Sequence, residues 1–161
     1  MVVLGFVFPV DLLKSASVAY IHYLSFMLCF GALVYERISL KANPNRQEAI
    51  NMVVADIIYG IAGISLLISG IYRVIKFGQG SEFYTENPIF WTKIIVFALV
   101  GSLSLYPTIT YVLWAIPLSK GNLPQVKENL VSRLRLIINI ELVGFASIPF
   151  LATLARGVGL G

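Results

Sequence analysis

Residues 52–72 read MVVADIIYGIAGISLLISGIY, an apolar stretch whose one charged side chain is Asp56. An α-helix rises about 1.5 Å per residue, so some 20 apolar residues cross a hydrocarbon layer about 30 Å thick. This segment meets that requirement, and three others in the chain do the same. The four predicted spans are about 12–35, 52–72, 89–116 and 134–154. Between them lie turn-forming stretches: Ala42-Asn43-Pro44-Asn45, Gly78-Gln79-Gly80-Ser81, and Ser119 to Pro124. No low-complexity tract separates the spans. The 161 residues therefore form one transmembrane domain, all-α, expected as an integral membrane four-helix bundle.

The composition agrees with this reading. Charged residues make up 12% of the chain, against about 25% in soluble domains. Hydrophobic residues make up 58%, and the mean hydropathy is +0.84. A soluble fold of this size would expose far too much apolar surface. The formal charge of +4 is no nucleic-acid signature, because the basic residues are distributed as topology signals. Arg37, Lys41, Arg46, Lys120, Lys127, Arg133 and Arg135 flank the first and third connections. Lys14, Arg73, Lys76, Lys93 and Arg156 lie on the other side, diluted by Asp11, Glu82 and Glu86. The seven-to-five bias predicts both termini on the non-cytoplasmic side. Residues 1–10 lack a basic n-region and a small-residue cleavage site, so the sequence predicts an interfacial apolar tip and no removable signal peptide.

Helical spacing places Ser15, His22, Ser25, Cys29, Ala32 and Glu36 on one face of the first span. Asp56, Gly60, Gly63 and Gly70 form a corresponding stripe on the second. Small residues let helices approach closely in lipid, so both stripes read as helix–helix seams. Pro107 predicts a kink in the third span, and Trp91 and Trp114 at its ends read as interfacial anchors.

Beyond Lys14 and Arg135 at the span ends, His22, Asp56, Lys93 and Glu141 lie within the spans. Each costs about 2.5–3.5 kcal/mol at a span centre on insertion scales. Each also has a purely structural reading. Lys93 can snorkel to the interface, Asp56 can pair with Arg133 or Arg135, and Glu141 can be protonated or hydrogen-bonded inside the bundle. His22 can be a hydrogen-bonded core group. Its other reading is as a metal ligand, on the axial position of a haem or the magnesium of a chlorophyll. The small face around Ser25, Cys29, Gly60 and Gly63 is the expected groove for such a macrocycle. With one histidine, any sixth ligand within the chain falls to a residue such as Met27 or Met52. Cys29, the sole cysteine, can form neither an internal disulfide nor a multi-thiolate site. No nucleotide loop, zinc pattern or nucleophile–base motif is present.

The stretch His22-Tyr-Leu-Ser-Phe-Met-Leu-Cys-Phe-Gly31-Ala-Leu-Val-Tyr35-Glu-Arg37 resembles the first helix of HemJ-type protoporphyrinogen IX oxidases. Phe90-Trp91-Thr-Lys93 is similar to that family's aromatic-x-Lys start of the third helix. Glu36 stands where those enzymes carry a proline before the arginine. In layout the whole chain resembles an uncharacterised family of four-helix membrane proteins common in cyanobacteria, and more broadly CopD-like membrane domains. The HemJ resemblance implies haem b, with His22 as the cofactor and metal ligand and Lys93 as a cofactor-binding and catalytic residue. It implies a redox role in a bacterial inner or thylakoid membrane. The alternative is a non-catalytic subunit or assembly factor of a larger photosynthetic or respiratory complex, or a homo-oligomer, binding chlorophyll or no cofactor. A copper transporter lacks the clustered Met, His and Cys it would need.

Overall fold

The computed structural model describes residues 2–3, 6–7, 9–78 and 80–157. The segment predicted as an interfacial tip and the turn at Gln79 lie partly outside them. Two short strands, β1 (Val2–Val3) and β2 (Phe6–Val7), pair antiparallel ahead of the helices. The remainder is helical: α1 Val10–Ser39, α2 Arg46–Phe77, the short α3 Ser81–Thr85, α4 Pro88–Ser119 and α5 Glu128–Gly157. Each predicted span falls inside one of the four long helices, all long and apolar enough to cross a membrane. At 30–32 residues they run about 45–48 Å and overshoot a hydrocarbon core of about 30 Å at the ends.

Local chemistry sets the helix ends. Asn45 and Glu48 form a capping box at the start of α2: the Asn45 side chain accepts from Glu48 N at 2.9 Å, and Glu48 accepts from Asn45 N at 2.8 Å. Lys41 reaches the same Glu48 carboxylate at 2.7 Å and fixes the α1–α2 turn. Asn43, in the left-handed region at φ 49°, donates its backbone N–H to Val126 O at 3.3 Å, which ties the α1–α2 turn to the α4–α5 connection. Asn87 caps α4 by accepting from Ile89 N and Phe90 N, with Pro88 in the first turn, where a missing N–H costs nothing.

The helices pair as two antiparallel hairpins, α1 with α2 and α4 with α5, which α2–α4 and α1–α5 contacts close into a ring. Most of the tightly packed core lies toward the α1–α2 and α4–α5 connections, where Leu33, Met52, Val131, Leu134 and Ile138 are almost fully buried. Phe145 stacks against Phe26 at 5.1 Å and against Tyr59 at 6.4 Å at mid-bundle. Outward-facing Ile57, Ile61, Ile64, Ile68 and Ile71 give α2 a continuous apolar exterior suited to lipid.

Several expectations about helix faces are corrected. Gly60 is exposed, and an added Cβ at Gly60 or Gly63 would meet nothing within 4 Å. The seam on α2 is instead Ala55, Tyr59, Ala62, Leu66 and Ser69. Gly60 and Gly63 each follow a seam residue by one position, about 100° around the helix, and so turn away from α1. Trp114 is no interfacial anchor: it is 5% exposed and packs edge-on against Tyr111 at 5.1 Å. Trp91 is exposed as expected and donates from Nε1 to Thr85 O. Helix α4 runs without interruption through Pro107, which is buried.

Candidate functional site

The half of the bundle away from the packed core contains a cavity of about 830 Å³, bounded by α1, α2, α3, α4 and α5. His22 and Lys93 both line it, so the fold brings together the two residues singled out in the sequence. The walls are largely apolar and aromatic, with Phe26, Phe90 and Phe97 among them. Ligand cavities of about 300–1,000 Å³ are typical of small-molecule and cofactor sites.

His22 is held from behind. Its Nδ1 lies 3.0 Å from Ser69 Oγ. The Ser69 hydroxyl donates to Ser65 O at 2.6 Å, with a second contact to Leu66 O at 3.2 Å. With its proton committed to a carbonyl, Ser69 Oγ is left to accept, which assigns the imidazole proton to Nδ1. Nε2 then carries the free lone pair. Gly70 forms the wall beside the ring: a Cβ there would stand 3.1 Å from His22 Cε1. One turn further along α1, Ser25 donates to Ser65 Oγ at 2.8 Å, and a turn beyond that Cys29 makes a 3.7 Å contact to Tyr59 O. Ser25 and Cys29, expected beside a groove for a macrocycle, are instead sealed into the α1–α2 seam. The opening lies farther toward the start of α1.

Lys93 stands over the Phe90 ring, its Nζ 4.5 Å from the centroid. Two further cations line the cavity, Arg73 near the end of α2 and Arg156 near the end of α5. Arg73 packs over Tyr23, 5.0 Å from the ring centroid, and donates to the Tyr23 hydroxyl at 3.4 Å. Among the described residues, no carboxylate lies within ion-pair distance of Arg73, Lys93 or Arg156, and no acidic residue lines the cavity. The site therefore combines an apolar volume, one imidazole with an open nitrogen and three cations with no carboxylate partner among the described residues. Arg73 and Arg156 were visible in the sequence only as topology charges, and nothing in their spacing marked them as neighbours of Lys93.

The remaining candidates lie elsewhere. Met27 lines the cavity, whereas Met52 is buried in the packed core of the other half. Asp56 does not pair with Arg133 or Arg135; it accepts a 2.7 Å hydrogen bond from Thr108 Oγ1 of α4. Glu141 is fully buried, and neither of its carboxyl oxygens has a hydrogen-bond partner among the described residues.

Four long apolar helices around one interior define a multi-pass membrane protein. The chain belongs to the family described as "Predicted membrane protein (DUF2214)", whose model matches residues 14–159. No curated protein matches the chain, and no solved structure does.

Proposed function

We propose that this chain binds haem b in the His22 cavity, where His22 Nε2 would hold the iron and Lys93, Arg73 and Arg156 would hold the propionates. The observation that carries the reading is the Nδ1 contact to Ser69. An acceptor held behind one ring nitrogen is the usual means of presenting the other to a metal. The donor set fits the group. A neutral imidazole suits iron, the apolar walls suit a macrocycle, and cations without counter-ions suit free carboxylates. Chlorophyll fits less well, because it has no pair of free carboxylates to place beside three cations.

Haem supplies one-electron redox chemistry when bound. The residues of this chain would hold and orient it. Ser69 and Gly70 hold the imidazole, Phe26, Phe90 and Phe97 offer apolar walls to the macrocycle, and Lys93 supplies a cation to a carboxylate. The resemblance to HemJ-type oxidases supports a redox role. The Lys and Arg distribution supports placing this cavity toward the non-cytoplasmic face, and the resemblance supports a bacterial inner or thylakoid membrane.

The test is titration of the purified protein with haemin, followed by absorption in the oxidised and reduced states. The expected result is a saturable Soret band at one equivalent, lost or shifted in His22→Ala and weakened in Lys93→Ala. A protein that stays colourless, or a spectrum that His22→Ala leaves unchanged, would overturn the assignment.

A further inference from the structure

In the opposite half of the bundle, Glu36 of α1, Asp56 of α2 and Glu141 of α5 turn inward and are 1%, 5% and 0% exposed. They are mutually within electrostatic range: Glu36 of both the others, and Asp56 of Glu141. Thr108 satisfies one oxygen of Asp56. Glu36 Oε1 and both oxygens of Glu141 have no partner among the described residues.

The fourth long helix contributes an independent sign of a ligand. Tyr111 of α4 is fully buried, its hydroxyl likewise lacks a partner, and it is within electrostatic range of all three carboxyls. The other titratable groups facing the cluster are Tyr59, close to Glu141 and Glu36, and Cys29 beside it. Among the described residues no Lys or Arg pairs with any of the three acids. The nearest cation in sequence, Arg37, donates instead to Asn139.

Ionised carboxylates without counter-ions are costly inside a membrane bundle, about 2.5–3.5 kcal/mol each at a span centre even before mutual repulsion. Buried polar atoms left unpaired cost about 1–3 kcal/mol each, so four of them call for something that both donates and accepts. A metal ion does not meet the geometry, since among the described residues no three His, Cys, Asp or Glu side chains are close enough to hold one. Protons with bridging water meet both demands.

We propose that Glu36, Asp56, Glu141 and Tyr111 form a proton-binding site that takes up and releases protons within the membrane bundle. On uptake, an O–H bond forms on a carboxylate oxygen, the donor is hydrated H⁺, and the negative charge is neutralised. Water bridges the carboxyls to the Tyr111 hydroxyl. Met27, on the cavity wall, and Glu36 are about 14 Å apart along α1, so this site is separate from the His22 cavity and stands whether or not that cavity holds a porphyrin.

The experiment is infrared difference spectroscopy between acid and alkaline buffer on the full chain in lipid vesicles. The expected signal is the carbonyl stretch of protonated carboxylic acids, displaced in D₂O. It should fall by one carboxyl's share in Glu141→Gln and again in Glu36→Gln. Tyr111→Phe, which keeps the ring and its packing, should shift the band's frequency and leave its amplitude. The proposal fails if the band is absent, if Glu36→Gln and Glu141→Gln leave it unchanged, or if Tyr111→Phe does not move it. It fails equally if sodium or calcium at fixed pH abolishes the band, which would identify a cation site.

Discussion

His22 Nδ1 lies 3.0 Å from Ser69 Oγ, and this contact across the α1–α2 seam determines which imidazole nitrogen faces the cavity. Without the hydroxyl the ring keeps only its backbone contact to Leu66 and the wall at Gly70, and its orientation and tautomer are set less firmly. Ser69→Ala should therefore lower haemin affinity by about 10- to 100-fold, the usual effect of losing the group that orients a metal-binding histidine. Ser69→Thr, which keeps the hydroxyl, should restore most of it. Spectrophotometric titration of the three proteins measures the series. Equal affinity in wild type and Ser69→Ala would show that the seam contact is only structural.

Gly70 and Gly60 make a matched pair on α2. A methyl at Gly70 meets His22 Cε1 at 3.1 Å, tighter than ordinary contact, whereas one at Gly60 meets nothing. Gly70→Ala should displace the imidazole and weaken haemin binding. Gly60→Ala should leave binding unchanged and stabilise the helix by about 0.5–1 kcal/mol, through reduced backbone entropy in the unfolded chain. Thermal unfolding in detergent, with and without haemin, separates the two.

On the α4–α5 face, a Cβ added at Gly144 would come within 2.5 Å of Val100 Cγ2. Val100 is 4% exposed, and its branched side chain is stiff in a helix, so it cannot swing aside. Gly144→Ala should cost about 1–3 kcal/mol by overpacking. Val100→Ala should also destabilise on its own, by leaving a small cavity. The double variant should be more stable than the sum of the two effects, because the new methyl fills the space vacated. Additive losses would show that the helices separate there without strain.

These sites also show what the sequence could and could not reveal. The four spans were readable because hydropathy and length alone decide whether a segment crosses a bilayer. The inward face of α1 was readable too: His22, Ser25, Cys29, Ala32 and Glu36 do turn toward the interior. On α2 the same reasoning failed, since small residues suit a seam but do not require one. Gly60 and Gly63 lie one position off the Ala55–Tyr59–Ala62–Leu66–Ser69 line. The partner of Asp56 depended on the register between α2 and α4, which fixes Thr108 opposite it and carries no signal in either segment. Arg73 and Arg156 looked like ordinary flanking charges, because only the closed ring of helices brings them to the cavity of Lys93. Single-helix properties were legible, and inter-helix properties were not.

Asn87 joins the helix ends beside that cavity, and its two functions can be tested apart. Its side-chain oxygen caps α4 through Ile89 N and Phe90 N, while its Nδ2 donates to Ala155 O of α5 at 2.8 Å. Asn87→Asp retains the cap and removes the donor. It should lose the roughly 1 kcal/mol of a hydrogen bond, together with the cost of leaving the Ala155 carbonyl unpaired. Asn87→Ala loses the cap as well, a further 0.5–2 kcal/mol or about that. Because Arg156 directly follows Ala155, both variants should loosen this cation and weaken haemin binding alike, although their stabilities differ. Unfolding midpoints and haemin affinities measured side by side would check this. If affinity instead tracks stability across the two variants, the tether from α4 to α5 plays no part in positioning Arg156.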